Sequence, residues 1–335
     1  MSKYLIVGAG GFIGGHLVKR LINEGNQVRA VDVKPFDLWF QKFDKAENFS
    51  LNMQEFENCL KMTKDYEYVL NLACNMGGIG FIENNKTDCM LSVLINTNLL
   101  RACKQNDIQR YFFSSSACAY NKDLQTDPNI DGLKEEDAYP AMPEDGYGWE
   151  KLFSERMCRH FYEDFGLETR VARFHNIYGP LGTFDGGREK APAALCRKVI
   201  EAGLNKKKEL DIWGDGNQTR SFLFIEDCVE AIMILFNSNF RDPINIGSEE
   251  KVSINQLVTI IEGISGTKLK RNYQLDMPKG VNGRSSNNNL IKKVLKWNYK
   301  YSLKDGIAKT YAWIESMYSN RSNNDFVKFT KNNYN

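Results

Sequence analysis

Tyr147 and Lys151 stand four positions apart in a segment, Tyr147–Phe165, whose apolar residues recur at helical spacing. Residues at this spacing project from the same face of a helix. A nearby ammonium favours the tyrosinate, so we expect Lys151 to lower the pKa of Tyr147 below its reference value of about 10. The pair is therefore predicted to accept a proton from a substrate hydroxyl near neutral pH. Such a pair also arises by chance, so a further group is needed.

A serine hydroxyl is placed to complete this site. The strand predicted over Arg110–Ser114 runs directly into further serines, and Ser115 or Ser116 lies at its tip. Of the two we favour Ser116. With Tyr147 and Lys151 it is predicted to deprotonate an alcohol while a hydride acceptor oxidises the same carbon.

The start of the chain predicts where that acceptor binds. Tyr4–Val7 has the apolar character of a buried strand, and a helical pattern begins at Phe12. Gly8, Gly11 and Gly14 lie at this junction. Glycines let the backbone approach a pyrophosphate closely, and the free N–H groups of the new helix attract its charge. An ordinary glycine turn between a strand and a helix is the alternative.

An acidic residue follows at the expected distance. The second predicted strand, Val28–Val31, ends at Asp32, about 20 residues beyond the glycine turn. A carboxylate at this point accepts hydrogen bonds from an adenosine ribose and repels a 2′-phosphate. We therefore predict NAD, rather than NADP, as the cofactor.

Strands and helices alternate from Tyr4 to Phe174, which predicts an α/β fold with a doubly wound parallel sheet of the Rossmann type. A second glycine-rich turn, Met76–Phe81, follows the strand over Tyr68–Ala73. Ligands bind at the carboxyl edge of such sheets, so this turn is expected to cover the cofactor or substrate, unless it is a plain turn. The predicted divisions are a cofactor domain over 1–178, a smaller α/β part over 179–318 that is interleaved with the sheet and binds substrate, and a polar, disordered tail over 319–335.

The composition excludes several classes of function. The net charge of the 335 residues is +2, which is too balanced to indicate a nucleic-acid or anionic-membrane partner. No basic and apolar leader precedes the first strand, and no apolar run approaches membrane-spanning length. The eight cysteines are scattered without metal-ligand spacing and are interpreted as reduced thiols of a cytoplasmic protein. His16, His160 and His175 are too few and too scattered for a metal site.

Five features together resemble the extended short-chain dehydrogenase/reductase superfamily, whose members act on nucleotide sugars: Gly8-x-x-Gly11-x-x-Gly14, Asp32, Asn71-Leu72-Ala73, Ser115-Ser116-x-Cys118 and Tyr147-x-x-x-Lys151. Within it the chain is most similar to the GDP-mannose 3,5-epimerases. The matching stretches are MGGIGF (76–81), SSACAY (115–120), RFHNIYGPLGTFDGGREKAPAA (173–194), WGDGNQTRSF (213–222) and VNGRSSNNNLI (281–291).

This resemblance implies roles for Cys118 and Lys190, which match a cysteine and a lysine that act from opposite sides of the sugar. Oxidation of C4 by NAD acidifies the C–H bonds at C3 and C5, because the enolate delocalises the charge. One group then removes a proton, another returns one to the opposite face, and C4 is reduced again. The alternatives are that Cys118 is an inert core residue and Lys190 a solvated loop lysine.

The resemblance also implies binding residues. Those expected to contact NAD are Gly8, Gly11, Phe12, Ile13, Gly14, Asp32, Asn52, Tyr147 and Lys151. Those expected to contact a GDP-sugar are Gly77, Ser116, Ala117, Cys118, Asn176, Glu189, Lys190, Ala191, Lys198, Gln218, Thr219, Arg220 and Arg284. Arg220 and Arg284 suit a diphosphate, because a guanidinium matches phosphate oxygens.

Two positions depart from the family pattern, and two other functions stay open. Asn52 stands where an acidic residue usually holds the adenine, and Asn282 replaces one of two arginines. Related proteins pair through helices of the Tyr147 type, so a homodimer is implied. One alternative is a C4 oxidase, dehydratase or epimerase of another GDP-sugar, such as a GDP-heptose. The other is a Rossmann-fold binding or sensor protein without turnover.

Overall fold

The structure, a computed structural model, describes residues 1–320 and 324–330. Its strands are β1 (Lys3–Val7), β2 (Gln27–Asp32), β3 (Glu47–Ser50), β4 (Tyr68–Asn71), β5 (Arg110–Ser116), β6 (Glu168–Phe174), β7 (Ile177–Tyr178), β8 (Glu209–Trp213), β9 (Thr219–Ser221), β10 (Leu223–Phe224), β11 (Ile244–Ile246), β12 (Lys251–Ser253), β13 (Lys270–Gln274) and β14 (Gly283–Arg284).

The helices alternate with these strands. They are α1 (Phe12–Asn23), α2 (Phe56–Thr63), α3 (Ile79–Asn84), α4 (Lys86–Leu91), α5 (Val93–Gln105), α6 (Tyr147–Phe165), α7 (Ala191–Leu204), α8 (Ile225–Asn237), α9 (Ile254–Ser265), α10 (Asn289–Leu295), α11 (Leu303–Ser319) and α12 (Asn324–Thr330). Across residues 1–320 and 324–330, none of them has both the length and the apolar character that crossing a membrane requires.

A seven-stranded sheet lies at the centre of the described chain, in the order β11-β6-β5-β4-β1-β2-β3, and every pair in it is parallel. Successive side chains of β1 point to opposite faces. Tyr4 and Ile6 join one core with α1 and α8, whereas Leu5 and Val7 join another with α2, α5 and α6. Helices thus cover both faces, and the predicted doubly wound parallel α/β fold is confirmed.

The second half of the chain contributes to the same sheet. β11 follows the predicted boundary at Tyr178, yet it pairs with β6 in the central sheet, with Ile244 opposite Ala172. The remaining strands form small sheets in the orders β12-β9-β14, β13-β8 and β10-β7. This interleaving means that the substrate part and the cofactor part share one core. The boundary between 1–178 and 179–318 stays a prediction.

The glycine turn after β1 depends on the absence of side chains. Gly8 has φ of +85°, and a Cβ placed on Gly14 would lie 2.1 Å from the Gly8 carbonyl oxygen. The first turn of α1 therefore contacts the end of β1 directly. As a result, the N-terminus of α1 lies at the carboxyl edge of the sheet.

The prediction of a disordered tail from Ser319 onward is wrong for residues 324–330, which form α12. Phe329 is buried at 3% exposure, and its ring centroid lies 5.0 Å from that of Trp313 and 6.3 Å from that of Phe184. The backbone N–H of Phe184 donates to the Phe329 carbonyl at 3.1 Å. The Phe329 ring and the Phe184–Phe329 backbone hydrogen bond thus attach this helix to the core. The rest of the predicted tail, 321–323 and 331–335, lies outside the described residues.

Candidate active site

The loops that follow β4, β5 and β6 enclose, with the start of α7, a cavity of about 430 Å³ at the carboxyl edge of the sheet. All but one of the predicted substrate residues line it: Gly77, Ser116, Ala117, Cys118, Asn176, Glu189, Lys190, Ala191, Lys198, Gln218, Arg220 and Arg284. Tyr147 also lines this cavity. Thr219 is the exception, because its hydroxyl donates to the Pro128 carbonyl of the loop before α6.

Tyr147 is the first residue of α6 and is buried. Ser116, at the end of β5, lines the same cavity as Tyr147, and its hydroxyl interacts favourably with the ionised form of the phenol. The expectation of a lowered Tyr147 pKa is wrong: burial first, then Cys74 and Cys118, raise it well above its ordinary value. Lys151 Nζ lies 5.3 Å from the centroid of the Tyr147 ring and does not offset this burial.

Lys151 is 1% exposed, and its Nζ lies 3.3 Å from Oε2 of Glu150. This contact is an ion pair, and no described residue, Glu150 included, gives the Nζ a well-aligned hydrogen bond. Burial alone would lower the pKa of Lys151, but Cys74 and Glu150 outweigh it and the pKa is raised. Lys151 is thus a buried ammonium that still lacks hydrogen-bond acceptors.

Cys118 lies in the turn that follows β5, with its sulfur in the cavity wall. Its backbone N–H donates to the Ser116 hydroxyl at 3.2 Å, and its carbonyl accepts from the Glu144 N–H at 3.1 Å. A Cβ on Gly148 would lie 2.4 Å from this carbonyl oxygen, so the glycine lets α6 approach closely. The pKa of Cys118 is raised, by burial and by Glu144, and Arg284 opposes the shift.

Arg284 is buried and lines the cavity. Its Nε donates to Gln125 Oε1 at 2.6 Å, its Nη1 to Cys118 Sγ at 3.5 Å, and its Nη2 to Glu144. Burial alone would lower the pKa of Arg284, but Glu144 and Cys118 raise it. The guanidinium therefore supports the Cys118 thiol, and its predicted contact with a diphosphate stays a prediction.

Lys190 precedes α7, and its carbonyl accepts from Ala194 N–H at 3.0 Å as the first intrahelical bond. Its side chain lines the cavity, and its pKa is lowered by burial, with Cys118 opposing the shift. A lysine with a lowered pKa holds more neutral amine near neutral pH and can exchange protons there. Lys190 is partly buried in the cavity wall, and Cys118 lines the same cavity within a buried cluster that includes Tyr147, so the catalytic roles of both stay predictions.

Gln218, Asn176 and Arg220 are further polar residues that line the cavity. Gln218 is 7% exposed; its Nε2 donates to the Trp213 carbonyl at 3.0 Å, while its buried Oε1 has no partner among the described residues. Asn176 adopts φ of +45°, a rare conformation for a residue with a side chain. Arg220 donates to the carbonyls of Thr219 and Lys279, and burial lowers its pKa to about 10.

Of the predicted cofactor residues, Asp32 lies beside the glycine turn, whereas Tyr147 and Lys151 lie on α6. The N–H of Gly8 donates to the Val31 carbonyl at 2.8 Å, which brings the turn beside the end of β2. Asp32 is buried there; its Oδ1 accepts from Lys34 N–H at 3.0 Å, and burial raises its pKa. Asn52 is exposed, and its Oδ1 accepts from the Gln54 N–H.

These residues fit NAD on two observations. No side chain caps the N-terminus of α1 and no acidic residue lies in its first turn, so its first N–H groups can bind a pyrophosphate. The buried Lys151 ammonium lacks acceptors, which ribose hydroxyls supply. Asp32 would hold the adenosine ribose, and Tyr147 would lie beside the reacting end.

Two residues of this region were not predicted from the sequence. Lys34 is buried, and its Nζ donates to the Gly10 carbonyl at 2.6 Å, which holds the glycine turn. The only local feature of the sequence that could have indicated this role is the position of Lys34, two residues after Asp32. Glu144 has no comparable signal, because Arg284 reaches it from a distant segment.

Comparisons with known proteins give a consistent result. Residues 4–247 match the model of the NAD dependent epimerase/dehydratase family. The chain is 46% identical over 311 residues to GDP-mannose 3,5-epimerase 1 of Oryza sativa subsp. indica, covering 92% of this chain and 81% of that protein. It is 45% identical to GDP-mannose 3,5-epimerase of Arabidopsis thaliana, covering 93% and 82%.

A solved structure shares the fold. It is UDP-glucuronic acid 4-epimerase from Bacillus cereus in complex with UDP-glucuronic acid and NAD, with a TM-score of 0.80 and 24% identity. The match covers 94% of this chain and all of that one.

Proposed function

The chain belongs to the NAD dependent epimerase/dehydratase family, and from this premise we propose that it is a GDP-mannose 3,5-epimerase that retains its NAD. The observation that carries this proposal is the meeting of two proton-transfer sets in one cavity. Ser116 and Tyr147 form the first, and Cys118 and Lys190 the second. A dehydrogenase needs only the first set, whereas inversion of a carbon beside a ketone needs the second as well.

The first set acts on the C4 hydroxyl. Bound NAD supplies the acceptor, and later the donor, of the C4 hydride. Tyr147 takes the hydroxyl proton, with Ser116 hydrogen-bonded to both phenol and substrate. Tyr147 can take this proton only as a tyrosinate, and it becomes the neutral phenol when it does so. Burial keeps Tyr147 a phenol at rest, so the phenol first releases its own proton to solvent, and the Lys151 cation beside it stabilises the tyrosinate formed in that step.

The second set acts on C3 and C5 of the 4-keto sugar. A carbonyl at C4 makes both hydrogens acidic, and one group removes the proton while the other delivers one to the opposite face. The lowered pKa of Lys190 and the burial of Cys118 keep uncharged amine and thiol available in the cavity. Arg284 contacts the sulfur and stabilises negative charge there after proton transfer.

The nucleotide diphosphate has a place along the same cavity. The N-terminus of α7, which begins at Ala191, lines the cavity, and its positive dipole end favours an anion. Arg220 supplies a guanidinium, and the unpartnered Oε1 of Gln218 supplies an acceptor. GDP-mannose as the substrate rests on the relatives, because these groups bind a sugar nucleotide without selecting its base.

The test is product formation from GDP-mannose by NAD-loaded protein, followed by NMR. We expect GDP-L-galactose and GDP-L-gulose, and we expect Cys118→Ala and Lys190→Ala each to slow epimerisation by about 10²- to 10⁴-fold. Cys103→Ala, a buried thiol outside the cavity, is the matched control for the first variant, and the exposed Lys270→Ala is the control for the second. A keto sugar or loss of water would instead indicate an oxidase or dehydratase, and an unchanged sugar would contradict turnover.

We also propose that two copies pair through α5 and α6. These helices pack side by side on one face of the sheet and leave Leu94, Trp149 and Phe153 exposed at 42%, 43% and 52%. Large apolar side chains clustered on adjacent helices are typical of a protein interface. Sedimentation analysis of the wild type against Phe153→Glu tests this, with a dimer expected for the first and a monomer for the second.

A cytoplasmic location is part of the same proposal. All eight cysteines are free, which is the state expected in a reducing compartment. NAD is also available there for a retained cofactor. Fractionation of cells that express the tagged chain tests this location.

A further inference from the structure

Glu144 is a carboxylate in the candidate active site that the proposed reaction leaves without a role. It lies just before α6 and lines the cavity. Its backbone N–H donates to the Cys118 carbonyl at 3.1 Å, and its carboxylate accepts from Nη2 of Arg284. Glu144 is therefore joined to Cys118 twice, through the backbone and through the guanidinium.

The surroundings of Arg284 explain why a carboxylate matters here. Arg284 is 6% exposed, and a buried cation needs a compensating charge. Its three side-chain partners are Gln125, Glu144 and Cys118. Gln125 is neutral, so Glu144 supplies the negative charge as long as Cys118 is a thiol.

We propose that Glu144 is a positioning residue for Cys118. Its carboxylate neutralises Arg284 and holds the guanidinium against the sulfur, so that the resting protein carries a thiol, rather than a thiolate, at position 118. This proposal gives a role in the proposed epimerase to a residue for which the similarity to the family implies none. Its chemistry is one of charge balance, and no bond is made or broken.

Several charged or titratable groups face the sulfur, and they act in opposite directions. They are Glu144 from the loop before α6, Tyr147 from α6, Lys190 from the start of α7, Arg220 from β9 and Arg284 from β14. The three basic residues favour the thiolate, whereas Glu144 and burial favour the thiol. Burial and Glu144 together outweigh the basic residues, so the pKa of Cys118 is raised. Loss of the Glu144 charge should therefore lower that pKa, and loss of the Arg284 charge should raise it further.

The experiment follows the alkylation of Cys118 by iodoacetamide against pH, quantified on the Cys118 peptide by mass spectrometry. Only the thiolate reacts, so the midpoint reports its formation. In Glu144→Gln we expect the midpoint about one pH unit lower, with a rate about tenfold faster at any pH below both midpoints. Glu144→Asp keeps the charge and should stay near the wild type. Glu168→Gln removes an ion-paired carboxylate at the opposite end of β6 and is the matched control.

Arg284→Gln is a second test variant, in which the midpoint of Cys118 alkylation should shift in the opposite direction. It also tests the proposal if Glu144→Gln fails to fold. Its midpoint should move to higher pH than that of the wild type. Superimposable profiles of Glu144→Gln and wild type, or a downward shift in Arg284→Gln, would overturn the proposal. No substrate is needed, so this outcome is distinct from that of the proposed function, which fails if wild-type protein leaves GDP-mannose unchanged.

Discussion

Two regions of the candidate active site, to which we assign related chemistry, are built differently. Tyr147 and Lys151 lie on one helix at a spacing of four, so their proximity follows from local structure. The Cys118 region draws its groups from a turn after β5, the loop before α6, the start of α7 and β14. No local rule brings Arg284 to Cys118 and Glu144. The comparison teaches that the Tyr147–Lys151 pair is a local feature, whereas the surroundings of Cys118 are a product of the tertiary fold.

The largest expected effect comes from breaking the local pair. Tyr147→Phe removes the phenolic oxygen that takes the proton of the C4 hydroxyl group, and it leaves the ring in place. We expect epimerisation and C4 oxidation to fall together by about 10²- to 10⁴-fold. In Cys118→Ala, by contrast, the 4-keto sugar should still form. Rapid-quench analysis of the sugar separates the two, and oxidation retained in Tyr147→Phe would show that the regions are wrongly assigned.

An intermediate effect on epimerisation is expected where α6 contacts the turn that holds Cys118. A Cβ on Gly148 would lie 2.4 Å from the Cys118 carbonyl oxygen, so Gly148→Ala must push the turn after β5 away from α6. We expect epimerisation to slow about tenfold or more, because a small misplacement of catalytic groups is costly. Gly203→Ala, in α7, is the control, since a Cβ there has nothing within 4 Å.

For Gly148→Ala, binding of NAD measured by calorimetry should change little, since the glycine turn after β1 is not involved. Equal rates in the two glycine variants would mean that the close approach of α6 to Cys118 does not serve catalysis.

The smallest effect on turnover is expected far from both regions. Phe329→Ala removes a buried ring from the cluster that holds α12. We expect the free energy of unfolding to fall by about 3 kcal/mol, as for other buried phenylalanines, with epimerisation of the folded protein retained. Chemical denaturation and product NMR measure the two quantities. An unchanged unfolding free energy would show that α12 adds nothing to the core.

The contrast between local spacing and tertiary contacts also explains which features could be predicted from the sequence. The bounds of α6 and the glycine turn after β1 were predicted because periodicity and spacing are local signals. The similarity to a family added Cys118 and Lys190, and the structure places both in one cavity.

The errors arose where tertiary structure decides. The predicted tyrosinate at Tyr147 fails because burial outweighs the neighbouring cation, and burial is not readable from a spacing of four residues. The predicted tail fails because Phe184 and Trp313, distant in sequence, provide the surface that Phe329 covers. Glu144 was missed because its partner Arg284 lies far along the chain.

The central claim is that C4 is oxidised and reduced by one retained cofactor while C3 or C5 exchanges its proton with solvent. The direct measurement is the position of deuterium, by NMR, in sugar recovered after incubation of NAD-loaded protein with GDP-mannose in D₂O. We predict deuterium at C3, at C5 or at both, with the original hydrogen retained at C4. Deuterium at C4, or none at C3 and C5, would contradict this account.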